Sequence, residues 1–149
     1  MSNGKAYDDL IMDHIKNARN YRALDDVTHT ASGSNPLCGD DLMVYLRLDG
    51  DRIEDVSFQC TCCGISMASA SMMTESVKGQ RTHDVKAWLN GFADALTARA
   101  DPALYAAGSA QHALLNIVRE FPARTRCAIL PWVTLDAALD NRQETAFVR

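Results

Sequence analysis

The stretch Leu42-Met43-Val44-Tyr45-Leu46-Arg47-Leu48-Asp49-Gly50-Asp51-Arg52-Ile53-Glu54-Asp55-Val56-Ser57-Phe58-Gln59-Cys60 decides the fold class. Leu42, Val44, Leu46 and Leu48 alternate with Met43, Tyr45, Arg47 and Asp49, the period of a half-buried strand. Asp49-Gly50 is a turn dipeptide, and alternation returns at Val56, Phe58 and Cys60, so the stretch predicts an antiparallel hairpin. Upstream, Tyr7, Leu10, Ile11, His14 and Ile15 repeat at helical spacing over residues 7–17. A polar stretch, residues 18–34, runs into Gly33-Ser34-Asn35-Pro36, which reads as a loop. Downstream, a helix is expected from Ser66 to Lys78, closed by Gly79, and another from Asp84 to Leu96. Asp101-Pro102 breaks the chain, Ser109 caps a helix that runs to Glu120, and Phe121-Pro122 ends it. Residues 124–127 are expected as a short connector before a last helix, 131–141, with Pro131 in its first turn. A helix, a small antiparallel β-sheet and then several α-helices make an α+β chain.

A chain of 149 residues is one domain by length, residues 1–149, and can bury a real core. Its 47% hydrophobic and 23% charged residues are those of a globular protein rather than a disordered one. The net charge of -4 argues against nucleic acid as the main partner. No stretch carries enough uninterrupted apolar residues to span a bilayer, so no membrane partner is expected. The opening residues Met1 to Asp9 are polar and acidic, unlike a signal peptide, which points to a cytoplasmic location. In that compartment the five cysteines are expected as ligands or nucleophiles before disulfides.

Three of those cysteines stand on separate segments. Cys38 lies in Asn35-Pro36-Leu37-Cys38-Gly39-Asp40, Cys63 opens Cys63-Gly64-Ile65-Ser66-Met67-Ala68-Ser69-Ala70-Ser71, and Cys127 follows Arg124-Thr125-Arg126. Brought together by folding, they could hold a metal, handle sulfur, or do both. Zinc takes sulfur and nitrogen ligands and accepts a carboxylate oxygen. Cys38, Asp40, Cys63 and Cys127 would supply three thiolates and one carboxylate, and Gly39 lets Cys38 and Asp40 face one ion. Cys63 would sit just before a helix N-terminus, whose partial positive charge favours a thiolate.

The run Asn35 to Asp40 resembles the N-P-x-C-G-D signature of the IscU/NifU-type iron–sulfur scaffold family. Cys63 with Ser66-Met67-Ala68-Ser69-Ala70-Ser71-Met72-Met73-Thr74-Glu75 resembles its second cysteine segment. Phe121-Pro122-Ala123-Arg124, Cys127 and Leu130-Pro131-Trp132 resemble the third segment of the SufU branch. Where IscU-type scaffolds carry a histidine directly before the third cysteine, this chain has Arg126, and residues 90–108 look like the insertion of the SufU branch.

The resemblance implies a SufE/NifU-like fold and zinc held by Cys38, Asp40, Cys63 and Cys127. It implies a sulfur acceptor, sulfurtransferase-like rather than a stand-alone enzyme, that takes persulfide sulfur from a PLP-dependent cysteine desulfurase of the SufS type. Sulfur would then pass to downstream iron–sulfur assembly proteins. Cys38 would be the attacking residue, freed when a histidine of the desulfurase replaces it on the zinc, and Arg124 would position the partner or Cys38. The alternatives are a scaffold on which the same residues assemble a [2Fe–2S] cluster, and a purely structural zinc site. Arg126 favours sulfur transfer over the scaffold, and a carboxylate ligand argues against the structural site.

The chain departs from the family at Cys60-Thr61-Cys62, where glycines usually precede the second cysteine. Cys60 and Cys62 are candidates for alternative ligands or a redox partner of Cys63. His14, on the apolar face of the first helix, is expected as a core histidine. Met67, Met72 and Met73 are expected in the core, and Leu130 and Trp132 either as core or as a docking patch.

Overall fold

The computed structural model describes residues 3–35, 39–141 and 144–146, with side chains over 9–35 and 39–141. Helix α1 covers Asn3–Lys16, followed by strands β1 (His29–Asn35), β2 (Asp40–Asp49) and β3 (Arg52–Thr61). Helices α2 (Gly64–Val77), α3 (Thr82–Ala98), α4 (Ala110–Glu120) and α5 (Thr125–Leu139) follow, then the short strand β4 (Glu144–Ala146). The sheet order is β3-β2-β1-β4; β1, β2 and β3 are antiparallel and β4 runs parallel to β1. The architecture is α+β, as the alternation and helical periods predict.

The hairpin forms as expected. Gly50 takes the positive φ (+62°) that its turn requires, and Leu42, Val44 and Leu46 face Cys60, Phe58 and Val56 across the ladder. That face of the sheet is covered by α5, which lies on β1 and β2, and by α2, which lies on β3. Helices α3 and α1 pack on α5 and α2 in turn. Trp132 of α5 is fully buried at the centre of these layers, with edge-on contacts to Phe92 (4.8 Å) and Trp88 (5.9 Å) of α3. Leu130 is equally buried, so this segment is core and not a docking patch. Met72 and Met73 are core as well, and Met67 packs partly buried against it.

Two local expectations are overturned. Gly33-Ser34-Asn35 is the end of strand β1, not a loop. Ala31, Gly33 and Asn35 are buried while the residues between them are half-exposed. Helix α5 comes so close here that a Cβ on Gly33 would stand 2.0 Å from Thr134 Oγ1. The glycine that reads as a turn signal is required by helix–sheet contact instead.

The connector expected at 124–127 and the helix expected to start at Pro131 are also replaced. Helix α5 starts at Thr125 and carries Pro131 in its interior. Proline has no N–H to return to the carbonyl four residues earlier, which is Cys127. That carbonyl is instead reached by the Ser66 hydroxyl at 3.1 Å, so the break in the ladder is satisfied by a neighbouring helix.

Candidate metal centre

Asp40 opens β2 with 2% exposure, Cys63 caps α2, and Cys127 lies in the first turns of α5 with 0% exposure. One ligand atom from each, a carboxylate oxygen and two sulfurs, lie within 4.8 Å of one another. The three reach this point from a strand start and two helix N-terminal ends. Of the residues expected as ligands, the structure therefore brings together Asp40, Cys63 and Cys127, while Cys38 lies outside the described residues. Arg124 is exposed in the short turn Pro122–Arg124 that leads into α5, three residues before Cys127, and Arg126 is half-buried beside it.

Ser66 holds the three together, a role that sequence reasoning missed. Cys63 is the N-cap of α2, in extended conformation (φ -75°, ψ 169°), and its sulfur accepts the Ser66 N–H at 3.5 Å. The Cys63 N–H donates to Asp40 Oδ1 at 3.0 Å. Ser66 Oγ, buried, lies 2.9 Å from Asp40 Oδ2 and 3.1 Å from the Cys127 carbonyl, with one proton to share between them. The signal was available in Cys63-x-x-Ser66, the spacing of a helix cap and the third helical residue. Only the fold shows that the same serine spans β2 and α5.

The two helices meet closely because α2 offers small residues. Ser69 Oγ donates to the Ala128 carbonyl at 2.6 Å and accepts the Trp132 indole N–H at 2.9 Å. The bonds from Ser69 to Ala128, the residue after Cys127, and from Trp132 to Ser69 thus hold the two helices together beside Cys63 and Cys127. The Cys63 thiol is brought down to about 5 by the hydrogen bond with Cys127 and by the amide and hydroxyl of Ser66, while burial and the Asp40 charge push the other way. A thiolate at neutral pH beside a second thiol and a carboxylate is the donor set that zinc or iron takes.

Cys60 and Cys62 do not join this set. They form a disulfide, with Cα atoms 5.5 Å apart, so the expectation of thiols throughout and of spare metal ligands fails at these two positions. At the end of β3 the chain brings positions two apart within reach of one another, and bonded sulfurs are no longer thiolate ligands. The histidines stay away from the centre. His14 is buried, with Nδ1 2.7 Å from Ser71 Oγ, and is a core residue as its place on the apolar face predicts.

A family model described as "NifU-like N terminal domain" matches residues 6–128. The chain is 38% identical to the zinc-dependent sulfurtransferase SufU of Bacillus subtilis, over 92% of this chain and 91% of that protein. It is 35% identical to the iron-sulfur cluster assembly scaffold protein IscU of Streptococcus pyogenes, over 87% and 80%. Among solved structures, a putative iron-sulfur cluster assembly scaffold protein for the SUF system from Fervidobacterium islandicum superposes with a TM-score of 0.76 and 28% identity, over 93% of this chain and 99% of that one. With a matching family model over most of its length and relatives aligned nearly end to end, the chain belongs to the family of NifU-like N-terminal domains.

Proposed function

We propose that this protein serves iron–sulfur cluster assembly as a zinc-dependent sulfur acceptor, taking persulfide sulfur from a PLP-dependent cysteine desulfurase, stimulating it, and passing sulfur to downstream assembly proteins. The observation that carries the reading is the convergence of Asp40, Cys63 and Cys127, with Arg126 rather than histidine directly before Cys127. The similarity to SufU, a protein named as a zinc-dependent sulfurtransferase, supports the same choice. Cys38, two residues before Asp40, would complete a set of three thiolates and one carboxylate. Zinc held there would keep the thiols deprotonated and the corner of the fold closed.

In the transfer, the Cys38 thiolate attacks the outer sulfur of the desulfurase persulfide. A new S–S bond forms on Cys38, and the desulfurase cysteine leaves as thiolate. Asp40, Cys63 and Cys127 remain as anchors. Ser66 keeps Asp40 and Cys63 in place by bonds that do not involve Cys38. Arg124, exposed ahead of α5 and three residues before Cys127, would position the partner.

The second reading, a scaffold carrying a [2Fe–2S] cluster on the same residues, is favoured by the relatives named IscU. Metal analysis of the purified protein, combined with a desulfurase assay with and without it, separates the two. About one zinc per chain and a stimulated desulfurase are expected from four-coordinate binding. A brown protein containing iron and sulfide after anaerobic purification would overturn the choice of zinc. Cys38→Ala is expected to abolish stimulation with the fold intact by circular dichroism; full sulfur transfer by that variant would overturn the acceptor role.

A further inference from the structure

Cys60 and Cys62 stand outside the ligand set, yet Cys62 is joined by one peptide bond to Cys63. Cys60 is held in place by the sheet. It pairs with Leu42 across the ladder, and its carbonyl accepts the Tyr21 hydroxyl at 2.9 Å. Cys62 follows the last residue of β3. The Cα separation of 5.5 Å lies inside the range that a disulfide spans, so the two sulfurs are within bonding reach from these backbone positions. A link that closes a loop of three residues removes less chain entropy than a long-range one, so it contributes little to holding the fold. Both residues are half-buried rather than sealed. Cys60, with Asp41, Met43, Gln59 and Tyr21, lines an open groove of about 780 Å³ over the end of the sheet.

The sulfur-acceptor reading leaves an electron requirement that this pair can meet. The outer sulfur of a persulfide is two electrons more oxidised than sulfide, and two thiols release two electrons on becoming a disulfide. We propose that the reduced Cys60/Cys62 pair is a persulfide-reducing dithiol that discharges sulfur as sulfide next to the metal centre. One thiolate attacks the outer sulfur of R–S–SH; R–S⁻ leaves and the sulfur is now bound to that cysteine. The other thiolate then attacks the cysteine sulfur itself, HS⁻ leaves, and the Cys60–Cys62 bond forms. In sum, R–S–SH and two thiols give R–SH, H₂S and the disulfide. The second step is intramolecular, with its reacting groups already held within reach. A dithiol reductant then reopens the bond for another cycle.

This proposal rests on the sulfur-acceptor reading, and its test is made independent of it by using glutathione persulfide in place of a desulfurase. The full chain is reduced, freed of reductant, and mixed anaerobically with the probe. Sulfide is measured alongside the mass of the peptide containing residues 60–63. About one sulfide per chain is expected above that released by the same protein with its disulfide already formed, in step with a Cys60–Cys62 crosslink. Cys60→Ser and Cys62→Ser are each expected to lower this burst at least tenfold and to leave the metal content unchanged. The oxidised wild-type protein serves as the comparator should either variant fold poorly. Equal sulfide release by reduced and oxidised protein, or release without the crosslink, would overturn the proposal. Loss of desulfurase stimulation in a separate assay would instead count against the sulfur-acceptor reading.

Discussion

Helices α2 and α5 do different work at their two ends. At the N-terminal end, buried Ser66, Asp40 and Cys127 and half-buried Cys63 are linked by hydrogen bonds through Ser66. Further along, Ser69, Ala70, Trp132 and Leu135 are buried, Trp132 against Phe92 and Ser69, where the two helices lie on the sheet. The packed end supplies stability and sets the spacing of the helices. The polar end uses that spacing to bring two sulfurs and a carboxylate together at little cost in core area. Damage at the packed end is therefore expected to unfold the chain, and damage at the polar end to empty the site.

The largest effect is expected from Trp132→Ala, which removes the central ring and the partner of Ser69 Oγ. A loss of about 3–5 kcal/mol of unfolding free energy is expected, read by denaturant titration. If that variant kept its stability and lost only metal, the division between the two ends would be wrong. Ser66→Ala attacks the polar end. Metal affinity is expected to fall about 10–100-fold, the range for loss of a group that orients ligands, measured by competition with a chromophoric chelator. Stability should fall by about 1–3 kcal/mol, the cost of leaving buried acceptors on Asp40 and Cys127 without their donor, less than for Trp132→Ala.

Gly33→Ala sharpens the comparison from the side of the sheet. Its Cβ would push on Thr134 and displace α5, at a cost of about 1–3 kcal/mol in thermal or denaturant unfolding. The smallest effect concerns His14. Burial, and then the Arg19 charge, lower its pKa, with Glu75 and Asp13 opposing. The unfolded chain therefore takes up that proton first as pH falls. The stability is complete above the ordinary histidine value of about 6.5 and declines below it. Denaturation midpoints at successive pH values should show a shallower decline for His14→Gln than for the wild-type chain.

Much of the fold was legible in the residues because its signals are local. The alternation around Asp49-Gly50, the cap at Ser109 and the C-terminal glycine at 79 all appear where they were expected. The two failures share a cause. Gly33 and Pro131 carry strong local meanings, turn and helix start, and in both places a partner far along the chain prevails. Thr134 requires the glycine, and Ser66 satisfies the carbonyl that the proline leaves open. Asp40, Cys63 and Cys127 were legible as ligand types, and the fold brings their ligand atoms within 4.8 Å of one another. Ser66 was legible only as a capping partner of Cys63; its bonds to Asp40 and to the Cys127 carbonyl join elements far apart in the chain and were not.

The sequence by itself determined the residue chemistry and the periods, hence an α+β chain with three separated thiol segments and a carboxylate beside one of them. The resemblance pointed to Cys63 among three crowded cysteines, and only the tertiary structure shows what turns it toward Asp40 and Cys127. Cys63 faces them because it caps α2, whose small residues let α5 approach, whereas Cys60 and Cys62 are turned to one another at the end of β3. Such a choice depends on how far apart two helices stand, and that distance is set by side chains some 60 residues apart in the chain, as in the 63-residue separation of Ser69 and Trp132.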